Sequence, residues 1–258
     1  MHVKVIPAER AFLRRLIDLS TVAKELEHFV RLNSDARSDI EWWAHFIESW
    51  NGTSILKAVA SKPPNITVLS DASGAWGCGA IWDSRWLQFE WKGLLAEAHI
   101  SIKEMIPVII ATAIWGKAWG GSSVRILSDN ASVVAAINNN TSRVREIAHL
   151  LRCLAFITAH WQCQLSAVHL PGAQNSIADA ISRNNITLLR TLHPQIAEES
   201  DHIPPELIQL LIIDTPDWTS PQWTTLWDTI FRKGWRLHPR KYTPQESNDT
   251  PSSASNFS

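Results

Sequence analysis

The sequence has almost no net charge. Lys and Arg number 24 and Asp and Glu 25 in 258 residues, for a formal charge of −1. A strongly basic nucleic-acid coat protein is excluded on that balance. Charged residues are only 19% and apolar residues 45%, which excludes a wholly disordered chain. No stretch reaches about 18 consecutive apolar residues, so neither a spanning helix nor a membrane partner is expected. Cysteine is scarce. Cys78, Cys153 and Cys163 form no CxxC pair, which indicates neither a disulfide frame nor a zinc site and suits a reducing compartment. The first residues, MHVKVIPAERAFLRRLIDLS, lack an apolar core before a small-residue cleavage site and read as a surface helix rather than a secretion signal. Glu9 and Asp18 count against a mitochondrial transit peptide. Arg14-Arg15 is too short for a nuclear-localisation run. An intracellular protein is expected, with nucleus and cytoplasm left open. Tyrosine is nearly absent, with Tyr242 alone, whereas tryptophan numbers 14. Those indoles are expected in or beside the core, each N–H needing a partner when buried.

What is present divides the chain into four. Residues 1–63 read as a helical connection segment. Leu13, Leu16, Ile17, Leu26, Phe29 and Val30 recur at helical spacing, and a second helix starts at Ser34-Asp35, runs through Trp43, Ile47 and Trp50, and stops at Asn51-Gly52. Pro63-Pro64 marks a boundary. Residues 64–186 change rhythm. Strands are expected at 66–71, 75–82 and 85–91, then a long apolar helix at 100–118 that Pro107 should kink. A strand at 123–128, helices at 130–138 and 143–160, a strand at 164–169 and a last helix at 175–183 follow. Three hairpin-linked strands followed by α-crossovers imply a mixed five-stranded α/β sheet covered by helices. Residues 187–242 read as a helical C-terminal segment, with helices at 203–213 and 221–232. Residues 243–258 are a Ser/Pro-rich tail expected to be disordered.

Four acids stand at informative places in the middle segment. Asp71 ends the first strand, Glu104 lies early in the long helix, Asp129 ends the fourth strand, and Asp179 opens the last helix. Singly, each has an ordinary explanation. Asp129 or Asp179 could belong to a helix start, and Glu104 could be a solvated helix position. Together, in this element order, they gather at one end of a sheet. Like carboxylates a few ångströms apart resist ionisation unless a cation offsets them. Mg²⁺ prefers such oxygen ligands. Two such ions about 4 Å apart can hold both the attacking and the leaving oxygen of an in-line phosphoryl displacement.

The segments SDASGAWGCGA (70–80), IKEM (102–105), LSDN (127–130) and HLPGAQNSIADAISR (169–183) resemble the ribonuclease H domain of retroelement reverse transcriptases. The flanks VKVIPAERAFLRRLIDL (3–19), DIEWWAHFIESWNG (39–52) and PDWTSPQWTTLW (216–227) look like the segments around that domain in DIRS-type, tyrosine-recombinase retrotransposons. The resemblance implies a ribonuclease H-like fold. It also implies an endonuclease that hydrolyses the RNA strand of an RNA–DNA hybrid, leaving a 3′-hydroxyl and a 5′-phosphate. Asp71, Glu104, Asp129 and Asp179 would hold two Mg²⁺ ions, with Mn²⁺ as a substitute. His169, ten residues before Asp179, matches the histidine that aids proton transfer and product release. Glu97, seven residues before Glu104, is the fallback helix acid. No Asp-Asp pair occurs, so the polymerase's paired aspartates are missing, and the single tyrosine, Tyr242, stands next to the tail, so the recombinase domain is missing too. A reverse transcriptase that has lost its polymerase part is expected, with polymerase and recombinase parts of the element as partners supplied in trans.

The hybrid is the expected partner. Asn130, Asn175, Arg143, Arg145 and Arg183 are candidate substrate contacts, and Lys117 and Arg152 are further candidates for the phosphate backbone. RNA would be distinguished through 2′-hydroxyls rather than base edges, and binding should weaken with salt. Two alternatives stay open at this stage. One is a catalytically silent hybrid-binding remnant of the same fold. The other is a related two-metal DNA nuclease.

Overall fold

The computed structural model describes residues 9–22, 25, 27–49 and 64–212. The expected helix at 221–232, the stop at Asn51-Gly52 and the 243–258 tail lie outside the described residues. Helix α1 (Glu9–Val22) and helix α2 (Ser34–Ser49) precede strands β1 (Ile66–Ala72), β2 (Gly77–Trp82) and β3 (Arg85–Glu90). Helices α3 (Leu94–Glu97) and α4 (Ile100–Trp115), strand β4 (Ser123–Ser128), helices α5 (Ala131–Asn139) and α6 (Arg145–Trp161), and strand β5 (Gln164–His169) follow. Helices α7 (Ser176–Ser182), α8 (Ile186–Leu192) and α9 (Pro205–Ile212) complete the described chain.

The strands form one sheet in the order β3-β2-β1-β4-β5. β1, β2 and β3 are joined antiparallel, whereas β1, β4 and β5 run parallel. This is the mixed five-stranded α/β sheet expected from the sequence. The main core lies between the sheet and α4 and α6, with Val68, Ile106, Ile110, Ile126, Leu150 and Leu154 buried there. Helix α4 is buried on nearly every side, as a helix apolar on all its faces from Met105 to Ile110 must be. It runs unbroken through Pro107. A smaller core of Ile81, Trp86, Ala180, Ile181 and Leu189 seats α7 and α8.

Two segments beyond the sheet are tied to it. Phe12 of α1 and Leu207 and Leu211 of α9 belong to the main core. Residues 197–201 run beside β3, where Ala197 donates its N–H to the Ser84 carbonyl (2.7 Å) and Asp201 donates its N–H to the Trp86 carbonyl (2.8 Å). The start of the β3 edge is thereby covered. Asp201 also accepts a hydrogen bond from Trp115 Nε1 (2.6 Å) and pairs with Arg85.

The N-terminal periodicity overstates its helix. α1 stops at Val22, residues 28–33 are not helical, and Phe29 is fully exposed. The hydroxyls of Ser20 and Thr21 take the carbonyls of Ile17 and Asp18 (2.7 Å each), giving the last turn a competing partner.

Candidate metal centre

The parallel pairing of β1 with β4 sets Leu69 opposite Leu127. Two residues further along each strand direction stand Asp71 and Asp129, side by side at the same end of the sheet. Helix α4 crosses that end and delivers Glu104. One carboxylate oxygen from each of Asp71, Glu104 and Asp129 can be chosen so that all lie within 4.8 Å of one another. Asp71 and Glu104 are buried and Asp129 is half-buried.

No basic side chain forms an ion pair with these three among the described residues. Burial pushes the Glu104 carboxyl up to about 9, and the charges of Asp71 and Asp129 push it the same way. A backbone hydrogen bond at Ala72 pulls it down less strongly. Burial also raises Asp71 to about 6. A hydrogen bond from Ser182 opposes that rise, while Asp129 and Asp179 add to it. Glu104 Oε2 is buried with no hydrogen-bond partner. An unpartnered buried oxygen among three acids fits a hard divalent cation, since the donor set is entirely carboxylate oxygen. Gly172 borders the cluster closely. A Cβ there would lie 3.1 Å from Asp129 Oδ2.

Asp179 stands at the rim on α7 and outside the close trio. Its Oδ1 pairs with Arg183 Nε at 2.6 Å, and both side chains are substantially exposed. His169, at the end of β5, is exposed and sets Nε2 3.0 Å from the Asp129 carbonyl oxygen. Glu97 lies in the separate short helix α3 and is exposed, so Glu104 is the helix acid in the cluster.

Several expected substrate contacts fall elsewhere. Asn175 is fully buried. Its Nδ2 donates to the Ser70 carbonyl (3.0 Å) and approaches Asp71 Oδ1 (3.4 Å), so it braces β1 and does not face a substrate. Arg152 is also buried. It pairs with Asp39 (3.3 Å) and donates to the Ala11 carbonyl (3.2 Å), which removes it from any phosphate. Asn130 caps α5, its Oδ1 accepting from the N–H groups of Ser132 and Val133. Arg145 is exposed but lies 3.9 Å from Asp35. Arg183 is held by Asp179. Arg143 and Lys117 are exposed.

Sequence reasoning missed Ser182, Lys103 and Gly79. The Ser182 hydroxyl donates to Asp71 Oδ2 at 2.5 Å. Its spacing of three from Asp179 places both on one helical face, and that was the available signal. Lys103, buried beside Glu104, gives Nζ to the carbonyls of Gly74 (2.7 Å) and Ala96 (2.8 Å), tying the β1–β2 connection to α4. Gly79 pairs with Asp71 across the sheet. A Cβ at Gly79 would collide with Ile181, so the glycine is what lets α7 approach.

No protein-family model matches the sequence. No curated protein matches it either. Among solved structures, the chain is similar to the foamy viral protease–reverse transcriptase dRH in complex with double-stranded DNA. The identity is 10% and the TM-score 0.32, over 65% of this chain and 31% of that one. The chain thus spans about a third of that protein's length, and a superposition so loose carries no functional argument.

Proposed function

We propose that this chain is a metal-dependent phosphodiester hydrolase of the ribonuclease H type, cutting the RNA strand of RNA–DNA hybrids, and that it derives from the reverse transcriptase of a DIRS-type retrotransposon. One observation carries the reading. Three carboxylates from β1, α4 and the end of β4 converge with no ion-paired basic side chain among the described residues, and Glu104 keeps a buried unpartnered oxygen. Such a site is poor in energy until a divalent cation enters it.

Asp71, Glu104 and Asp129 would hold Mg²⁺ or Mn²⁺, with Asp179 completing the set from the rim for a second ion. When bound, the cations supply charge neutralisation and an acidified water. The residues do the rest. β1 and β4 hold Asp71 and Asp129 level with one another. Burial of Glu104 keeps bulk water from one side of the site. The exposed His169, whose Nε2 lies 3.0 Å from the Asp129 carbonyl oxygen, would hand a proton to the leaving oxygen. Expected products are a 3′-hydroxyl and a 5′-phosphate.

The test is cleavage of a labelled hybrid in Mg²⁺ or Mn²⁺, beside Asp71→Asn and Asp129→Asn. The wild type should cut the RNA strand only. Each variant should lose roughly 10²–10³-fold in rate, the scale for removing one preorganised electrostatic group. Cutting of duplex DNA instead would move the site to a DNA nuclease. Salt-sensitive binding without cleavage would make the chain a hybrid-binding module.

A further inference from the structure

The strands alone do not fix where the Asp71 carboxylate points. That side chain has two rotatable bonds, sits among other acids, and faces repulsion from Asp129 and Asp179. Left to itself it would turn away from Glu104 and Asp129. Something must hold it there before a cation arrives.

α7 carries the groups able to do so. Ser182 is fully buried, and its hydroxyl donates to Asp71 Oδ2 at 2.5 Å. Its own carbonyl accepts from the Ser73 hydroxyl (2.9 Å), which pins the end of the helix to the loop after β1. Gly79, opposite Asp71 in the sheet, gives Ile181 the space to seat the helix. Asp179 lies one turn before Ser182 on the same helix. One helix therefore brings an acid to the open rim of the site and a hydroxyl to the buried side of its central acid.

We propose that Ser182 is the positioning residue of this cation site, pinning the Asp71 carboxylate toward Glu104 and Asp129 so that the site is formed before the cation enters. This rests on the proposed role of the three carboxylates. A donor held behind a metal-binding carboxylate orients it and raises its affinity, and loss of such a partner typically weakens binding by about 10–100-fold. The serine touches neither substrate nor reacting atoms. Its effect is transmitted through Asp71.

The experiment is Mn²⁺ binding to the full chain by titration calorimetry, without nucleic acid, alongside the melting temperature in chelator. Wild type should bind Mn²⁺. Ser182→Ala should bind about tenfold more weakly while its melting temperature in chelator shifts little. Ser182→Cys, similar in volume but a weak donor, should also bind more weakly. A merely structural serine would give the opposite pattern, a lowered melting temperature with Mn²⁺ affinity unchanged, and that result overturns the proposal. Should Ser182→Ala not fold, Ser182→Cys decides: weakened binding supports the positioning role, and wild-type affinity overturns it. If wild type itself binds no Mn²⁺, the reading of the carboxylates falls first and this role falls with it. A wild type that binds while both variants match it sinks only the role of Ser182.

Discussion

Two groups of buried acids stand out among the described residues, and they are resolved in opposite ways. Asp39 on α2 is almost completely buried and stands 3.3 Å from Arg152 and 3.6 Å from Arg15, ion pairs without a hydrogen bond. Burial raises its carboxyl to about 6, against the pull of both arginines. Asp71 and Glu104 are as well buried but have no ion-paired cation among the described residues; the charge of Asp129 opposes the ionisation of both, and Arg183 acts on Asp71 only weakly. The first cluster is closed, because the chain supplies its own counter-charge and uses it to fasten α1 and α2 to α6. The second is left open on its charge, as a site for an outside cation must be. Burial of an acid therefore says little about its role. What faces the acid says more.

The sharpest way to break this contrast is to neutralise one acid of each kind. Asp39→Asn leaves Arg152 buried without its partner, and loss of one member of a buried pair costs about 3–5 kcal/mol. Urea denaturation at neutral pH in chelator should show that loss. Glu104→Gln should leave stability near wild type under the same conditions, because a carboxyl pushed up to about 9 already carries its proton there. The same variant should abolish Mn²⁺ binding. Equal destabilisation by the two changes would erase the distinction between the clusters.

The next effect is on the pH dependence of stability. Glu104 has an ordinary value of 4.5 when unfolded and about 9 when folded. The folded state thus binds the proton more tightly throughout that interval. Its contribution is fully present below about 4.5 and is lost as pH rises toward 9. Asp39 acts in the same direction over a narrower window, from 3.8 to about 6. In chelator, stability should keep falling above pH 6. Glu104→Gln should flatten that upper part and leave the lower part in place. Added Mn²⁺ should raise the melting temperature more as pH rises, since its ligands must be deprotonated.

The two clusters were not equally legible in the sequence. Asp71, Asp129 and Glu104 could be read because a carboxylate ending a strand has a fixed place in a parallel pair, and a helix crossing that end has few positions to offer. The mixed five-stranded sheet followed from two hairpins and α-crossovers, and the structure has one, in the order β3-β2-β1-β4-β5. Arg152 reads from the sequence as a phosphate contact, whereas the structure buries it against Asp39 and the Ala11 carbonyl. Its sequence position on a mixed helix does not say that α1 and α2 cover it, which depends on contacts between residues more than a hundred apart. Asn175 failed for a similar reason. A polar residue in a motif-bearing loop reads as exposed until the loop is seen folding under β1. Ser182 had a local signal in its spacing from Asp179, but its partner Asp71 lies across the sheet.

Asp179 tests the contrast at its weakest point. It belongs with the site by position and charge, raising the Asp71 carboxyl, yet it has an arginine of its own at 2.6 Å. That pair differs from Asp39–Arg152 in being exposed, with side chains 63% and 40% accessible for Arg183 and Asp179. Solvent-exposed pairs contribute only about 0.2–1 kcal/mol. A cation entering beside Asp179 therefore has little to displace. Arg183→Ala should barely change the melting temperature in chelator, and should tighten Mn²⁺ binding by roughly 1.5- to 5-fold, the equivalent of that energy. A tenfold or greater change in affinity, or a large drop in stability, would place Asp179 with Asp39 as an acid closed by its own chain. It would leave the open site to Asp71, Glu104 and Asp129 alone.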